Sequence, residues 1–431
     1  MVGAESPLVS TRRIDLWAVS LMSLVAFMTA LSNYCVQPFL PVMADELGTT
    51  VPVVGQAATV PLFVAAVAGL AAGPLADFFG FKPVAITGML LIAGSAFGVG
   101  IATSFEILLA ARVLAGLGAG ATVGTALAFV GSAHDYDNRQ RALSIVAAAF
   151  SVSAVLGIPL LTVIERAGGW RGAMLTIGVA GLLLAAVLAR YLLGPNREIP
   201  VAWPGVPAIL RAYLPLVRDF RMIAVFLGIV AVGMGTIGSV TYIGAYFVDS
   251  YGTSTGRVGL VLALAGGSYT AGSILGGANV FDPRVRGTTL GLGLLGGLAI
   301  WTVFGLQSGP VVALAALVVA FVIAGLLNIM CVTVLSYESN AGSATTMALQ
   351  ASVTNLGSAA GVAIGGLILG VSSYSALAVF AGLAFVVAGL ITTAGIVGMP
   401  FQLRIEPGEP ERGVPIVGDS ARPNPGEGEQ R

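Results

Sequence analysis

The chain has 431 residues, of which 57% are hydrophobic and only 9% charged, and its mean hydropathy is +0.95. A water-soluble domain carries about a quarter charged residues, so this chain lacks the polar surface to cover itself in water and reads as a protein that crosses a membrane many times. Its formal net charge is zero, which leaves no electrostatic case for nucleic acid or an acidic partner.

Residues 1–15 end in "STRRID", a short basic amino terminus. The apolar run that follows, Leu16 to about Val36, is longer than the ~7–15-residue core of a cleavable signal, so Arg12 and Arg13 read as the inside anchor of a first spanning helix. A crossing needs roughly 20 mostly apolar residues. That template predicts twelve spans, near 16–38, 52–75, 83–103, 107–131, 142–164, 172–193, 222–247, 257–280, 287–307, 311–337, 343–370 and 375–398. Connections as short as "TSFE" make neighbouring helices antiparallel. The fold expected is an all-α integral membrane protein of 12 transmembrane helices.

Span 1 carries Asn33, Tyr34 and Gln37, with Asn33 and Gln37 four residues apart on one helix face, and span 2 carries Gln56. The turn after span 2 reads "GPLADFFGFKP", residues 73–83. Span 4, "EILLAARVLAGLGAGATVGTALAFVG", places Arg112 in an apolar segment and repeats glycine at 116, 120 and 124. Lipid gives apolar helices no hydrophobic reason to associate, so such small-residue stripes read as packing surfaces. A nucleotide-loop reading of "GLGAG" fails for want of a preceding strand. In span 5, "VLGIPLLTVIERAGGWR", Gly157 and Pro159 free a backbone carbonyl and suit a bend.

Residues 194–221 are proline-rich and then basic, separating a bundle at 16–193 from one at 222–398. They read either as a linker with an interfacial helix or as a loop with anchoring arginines. The second bundle carries Tyr242 and Tyr246 in span 7, Tyr269 in span 8, Asn328 in span 10, and Gln350 and Asn355 in span 11. Span 11 has its own glycine stripe at 357, 361 and 365. The tail, 399–431, is rich in Pro, Gly and Glu and is expected to be disordered.

Orientation follows from the basic residues. With the amino terminus inside, that side holds Arg12, Arg13, Lys82, Arg139, Arg141, Arg190, Arg197, Arg211, Arg218, Arg221, Arg284, Arg286 and the four tail arginines, against Arg166, Arg171 and Arg257 outside. Both termini are therefore expected in the cytoplasm. Lys82 is the only lysine in an Ala-, Gly-, Val- and Arg-rich chain, a composition that reads as a GC-rich bacterial genome, so the inner membrane is the expected location.

Several of these stretches resemble the major facilitator superfamily. Residues 73–83 resemble its G-x-x-x-D-R-x-G-R-K loop signature, with Gly73, Asp77, Gly80 and Lys82 in register and Phe78 and Phe81 where basic residues usually stand. "RVLAGLGAG" resembles its fourth-helix signature. Residues 155–171 and 347–366 are similar to the fifth and eleventh helices of the twelve-helix drug/proton antiporter and sugar-efflux branch. The second-half loop "GGANVFDPRVRG" keeps only Asp282 with Arg284 and Arg286.

The resemblance implies two six-helix bundles, secondary transport by alternating access, and efflux with proton antiport. It implies that Asp77 latches the bundles at the amino end of span 11, supported by Lys82, Gly73 and Gly80. It also implies that Asn33, Tyr34, Gln37, Gln56, Tyr242, Tyr246, Tyr269, Asn328, Gln350 and Asn355 face the cavity, an amphipathic pocket for neutral or lipophilic molecules. Arg112 is expected to face that cavity too, touching substrate or sensing a proton, or else to snorkel toward the outer interface.

No Asp or Glu lies near the middle of a predicted span. That weakens proton coupling and keeps a facilitative uniporter or importer, and a transport-inactive sensor, as alternatives. An enzyme would need clustered acids or an activated nucleophile, whereas the only histidine, His134, sits in a loop. Cys35 and Cys331 both fall in apolar runs and form no metal pattern. No cofactor or metal is expected, and the partners expected are a small-molecule substrate, the bilayer and, with antiport, protons. A monomer is expected.

Overall fold

The computed structural model describes residues 16–133, 136–192, 205–279, 288–306, 309–338 and 343–397. His134, Asp282, Arg284, Arg286 and the 399–431 tail lie outside the described residues, as does most of the linker before Gly205. Every regular element described is helical. These are α1 (Leu16–Tyr34), a 3₁₀ turn (Gln37–Phe39), α2 (Leu40–Glu46), α3 (Val51–Phe79), α4 (Phe81–Gly100), α5 (Phe105–Ala133) and α6 (Tyr136–Val152). A π turn (Ser153–Gly157) leads into α7 (Ile158–Tyr191), and the linker contributes α8 (Val206–Tyr213). The second half holds α9 (Phe220–Tyr251), α10 (Thr255–Asn279), α11 (Thr289–Gly305), α12 (Pro310–Glu338), α13 (Ser343–Val371) and α14 (Tyr374–Val397).

Among the described residues, ten helical stretches are long and apolar enough to cross a membrane. One of them, Ala142–Tyr191, runs 50 residues and breaks at Gly169, whose φ of 62° and ψ of 178° are not helical. It contains two of the crossings read from sequence. Thr289–Gly305 is apolar but shorter. Large apolar side chains cover the outside: Leu183 is 63% exposed, Leu298 59% and Leu367 69%. In water such a surface would drive aggregation; in lipid it is the solvated face, and the helical backbone satisfies its own polar groups.

The two halves repeat one packing plan. In the first, α5 packs on α3 and α4, and α4 packs on α7; in the second, α12 packs on α10 and α11, and α11 packs on α14. The halves meet along two seams, α3 against α13 and the π turn with α7 against α10. An apolar core runs through both halves, from Ala18 to Phe385. Gly80, with φ of 90°, makes the sharp turn between α3 and α4, a conformation that a side chain would strain.

The glycine stripes lie where backbones approach. A Cβ on Gly116 would come 2.5 Å from Val64 and one on Gly120 2.7 Å from Ala68, both on α3, and one on Gly124 would touch Ala72 at 3.3 Å. A Cβ on Gly357 would lie 2.5 Å from the Val230 carbonyl of α9, and Gly361 is equally close to Met234. Gly365 instead faces Leu377 and Tyr242.

The two ends differ. One holds the α3–α4 turn with Lys82, the linker helix with Arg211, Arg218 just before α9 and Arg221 in its first turn; we call it the basic end. The other is capped by α2, whose Glu46 pairs with Arg171 at 3.4 Å. Arg171 also donates to the carbonyls of Ala102 (2.6 Å) and Gly100 (3.2 Å) and lies over the buried Trp170 ring.

Candidate functional site: a cavity between the halves

A cavity of about 210 Å³ lies between the halves. The first half contributes residues such as Tyr34, Phe150 and Ile158; the second contributes residues such as Thr236, Tyr269 and Asn328. No Asp, Glu, Lys, Arg or His is among the described lining residues. The π turn supplies part of this wall through Ala154. Pro159 has no N–H to give the carbonyl four residues back, and a Cβ on Gly157 would press on Leu31 at 2.9 Å and Phe27 at 3.1 Å of α1. The bend expected from this pair is thus a widened turn, a feature often found beside functional sites.

At the capped end the seams are tight. Gln37 Nε2 donates to Thr241 Oγ1 at 3.2 Å, and Gln56 Nε2 donates to the Ala363 carbonyl at 3.4 Å. A Cβ on Gly259 would meet Thr162 Oγ1 at 2.5 Å, and one on Gly256 would meet the Arg166 guanidinium. Tyr242 closes the α3–α13 seam. Its ring fills a slot where a Cβ on either Gly55 or Gly366 would come 2.5 Å from its hydroxyl, which donates to the Val362 carbonyl at 2.9 Å.

Arg112 departs from the position expected of it. It does not line the cavity; its side chain is 1% exposed between α1, α3 and α5. Nε donates to the Ala57 carbonyl at 2.9 Å, and the terminal nitrogens donate to the carbonyls of Ser32 (2.8 Å) and Asn33 (3.1 Å), with Cys35 Sγ at 3.7 Å. Each acceptor is one that helix geometry leaves free. Ser32 and Asn33 fall in the last turn of α1, where carbonyls lack intrahelical donors and the helix dipole favours a cation. Ala57 lies four residues before Pro61, inside α3, so proline removes its donor. The guanidinium is a pin that ties three backbone carbonyls together, buried and outside the cavity lining.

The other candidates divide. Tyr34, Gln37, Tyr269, Asn328 and Asn355 line the cavity. Gln56 and Tyr242 lie in the seam above it. Tyr246 is buried in an aromatic cluster with Phe304 and Tyr374 at the capped end. Gln350 turns along its own helix to Thr354 Oγ1 at 2.9 Å. Asn33 is used through its backbone, and its side-chain Oδ1 is buried without a partner. The lining also includes Thr236, Phe150, Phe321, Thr354 and Ser358, which the sequence reading missed. Thr354, Asn355 and Ser358 form a polar helix face that i, i+4 spacing makes visible; nothing in sequence separates Phe150 and Phe321 from lipid-facing phenylalanines.

At the basic end, Gly73 has open space where a Cβ would stand and Lys82 is partly exposed. Asp77 falls in the last turns of α3; its side chain and residues 339–342 before α13 lie outside the described residues. The linker helix is tied nearby: Tyr213 donates its hydroxyl to the Leu70 carbonyl at 3.0 Å. Leu70 is four residues before Pro74, the second proline inside α3, so this is another proline-orphaned acceptor. Partial burial raises the Tyr213 pKa above its ordinary value, so the hydroxyl keeps the proton it donates.

Comparison with known proteins agrees with this architecture. The chain is 27% identical over 272 residues to an uncharacterized MFS-type transporter, YtbD, of Bacillus subtilis, covering 62% of this chain and 66% of that protein. It is 27% identical to the 4-hydroxybenzoate transporter PcaK of Pseudomonas putida over 46% of this chain and 45% of that one. Identity to a chloramphenicol resistance protein of Streptomyces lividans is also 27%, over 57% and 62% of the two chains. The match thus spans just under two thirds of YtbD and less of the other two. Among solved structures, a bacterial homolog of the human lysosomal transporter Spinster, in an inward-facing and occupied conformation, superposes with a TM-score of 0.68 at 17% identity, covering 91% of this chain and 96% of that one. That likeness speaks to the fold. The family model of the Major Facilitator Superfamily matches residues 22–348; the chain is a multi-pass membrane protein that belongs to the major facilitator superfamily.

Proposed function

We propose that the protein is a carrier, not an enzyme, which exports small uncharged molecules across the bacterial inner membrane by alternating access. The reading takes twelve crossings in two six-helix bundles, 16–193 and 222–398, joined by the 194–221 linker, with both termini cytoplasmic. The observation that carries it is the cavity: both halves line it, cross-half contacts seal it at the capped end, and its described lining is uncharged. An ion buried there without a partner costs several kcal/mol. The basic end is then the cytoplasmic one, and the geometry fits a carrier closed toward the outside. Asp77, with Lys82, Gly73 and Gly80, is proposed to latch the basic end against the positive end of α13 when the capped end opens.

Chloramphenicol is neutral and 4-hydroxybenzoate is an anion, so an uncharged lining favours a substrate of the first kind and supports export. The same lining favours a second reading on coupling. A proton-driven carrier needs a group that binds the proton where substrate competes, and no carboxylate is among the described lining residues. Facilitated export without proton coupling follows. Flux into proteoliposomes, with chloramphenicol, 4-hydroxybenzoate and a panel of neutral solutes, tests both readings with and without an imposed pH gradient. Neutral solute flux that ignores the gradient is expected. Flux that follows the gradient restores antiport, and no flux of any solute leaves a transport-inactive sensor.

A further inference from the structure

Both cavity walls mix polar and apolar residues. On the first half, Tyr34, Gln37 and Ser151 are the polar residues, and Gln37 is committed to Thr241 in the seal. The rest of that wall is Phe150, Ile158 and alanines. On the second half seven of the fourteen described lining residues are polar, but much of that polarity is spent. Thr270, Thr354 and Ser358 each donate their hydroxyl hydrogen to a carbonyl one turn back, at 2.8–2.9 Å. They keep lone pairs only.

The hydroxyls of Tyr34, Ser151 and Tyr269 make no hydrogen bond with a described residue, and three further groups, all on the second bundle, are also unspent. Asn328 on α12 and Asn355 on α13 make no hydrogen bond with any described residue, so each offers two N–H donors and a carbonyl acceptor. Thr236 on α9 is 3% exposed, and its Oγ1 is buried without a partner. It breaks the habit of its neighbours: Ser239 and Thr241 bond the carbonyl four residues back. A buried hydroxyl left open costs stability unless a ligand completes it. Gly233, one turn before Thr236, brings this face against α13, since a Cβ there would lie 3.3 Å from Ser358 Oγ. Phe321 supplies an apolar neighbour.

We infer that Asn328, Asn355 and Thr236 form a recognition wall on the second half for the amide or hydroxyl end of an uncharged substrate, whose apolar body packs on apolar lining residues such as Phe150, Ile158 and Phe321. The inference rests on the carrier reading and adds to it the groups that recognise the substrate's polar end. Such a ligand satisfies the carboxamides and the open threonine hydroxyl at once. A carboxylate or ammonium meets no counter-charge, and a hydrocarbon leaves the three groups unpaired.

The test uses the full chain in lipid nanodiscs and five one-ring probes: benzamide, benzyl alcohol, toluene, benzoate and benzylammonium, with dissociation constants from titration NMR. Benzamide is expected to bind at least about tenfold tighter than either ion. Asn328→Leu and Asn355→Leu are each expected to weaken benzamide about three- to tenfold, the worth of one neutral hydrogen bond, with toluene unchanged. Thr236→Val should act in the same direction. Phe150→Leu should weaken benzamide and toluene alike. Asn355→Asp should raise benzylammonium relative to benzamide, a gain that misfolding cannot imitate. Ions that bind as tightly as benzamide, or Asn328, Asn355 and Thr236 variants that weaken toluene and benzamide in parallel, overturn the wall. Neutral flux in proteoliposomes together with that pattern would leave the carrier reading standing; an absence of flux would remove the carrier reading whatever the probes do.

Discussion

Replacing Arg112 with methionine is expected to harm the protein less than replacing it with lysine, against the usual ranking by charge. An arginine or lysine in the middle of a membrane helix costs about 2.5–3.5 kcal/mol. The native guanidinium offsets this with charge-assisted bonds to the carbonyls of Ser32, Asn33 and Ala57, each worth about 1.5–3 kcal/mol. A lysine carries the same charge on one nitrogen and cannot span α1 and α3 together. It keeps the burial cost and forfeits at least one bond, a loss of about 2–5 kcal/mol.

Methionine fills similar space and removes the charge. It orphans the Asn33 and Ala57 carbonyls, at about 1–3 kcal/mol each, while Ser32 keeps the Cys35 thiol at 3.2 Å. With the charge cost relieved, the net loss is about 0–3 kcal/mol. Unfolding of the purified protein in mixed micelles, followed by intrinsic fluorescence, checks the order. Pro61→Ala sharpens the test by restoring an N–H to the Ala57 carbonyl. In the wild type that acceptor is already used, so little changes; in the Arg112→Met background the substitution should recover about 1–2 kcal/mol. A lysine variant more stable than the methionine one, or a Pro61→Ala effect identical in both backgrounds, refutes the pin.

Tyr213→Phe should loosen the linker by about 0.5–1.5 kcal/mol, read as a roughly three- to tenfold rise in linker cleavage by a protease, with Pro74→Ala restoring protection. Gly366→Ala puts a methyl group into the Tyr242 slot; a cysteine placed at Thr162 should then react several-fold faster with an aqueous maleimide added from the capped side, and an unchanged rate argues against Tyr242 as part of the seal. Arg171→Leu should lower stability by about 1–3 kcal/mol through the freed carbonyls of Gly100 and Ala102, whereas Glu46→Gln, at a half-exposed ion pair, should cost less than about 1 kcal/mol.

Local features were legible in sequence to the extent that their causes are local. Apolar runs of ~20 residues mark helices because lipid demands it, and glycines four apart mark a close approach whatever the partner. The partners are what a single chain hides. Proline arithmetic alone says that the carbonyls of Ala57 and Leu70 lack helical donors, yet their donors come from Arg112 and Tyr213, 55 and 143 residues away. The same blindness misplaced Arg112 itself. A cation in an apolar helix demands compensation, and the sequence reading looked for it in water or substrate because those need no tertiary knowledge. The protein supplies it from backbone: a helix end and a proline vacancy, neither of which shows in residue type. Tyr242 misled in the complementary way. A tyrosine in a cavity-lining span and a tyrosine wedged in a glycine slot have the same spelling, and only Gly55 and Gly366, on different helices, tell them apart. Polar residues inside a membrane protein are therefore divided between work on the backbone and work on a ligand, and the division is read from unspent hydrogen-bonding capacity. By that measure Arg112, Tyr213 and Gln37 are occupied, whereas Asn328, Asn355 and the Thr236 hydroxyl have no partner among the described residues.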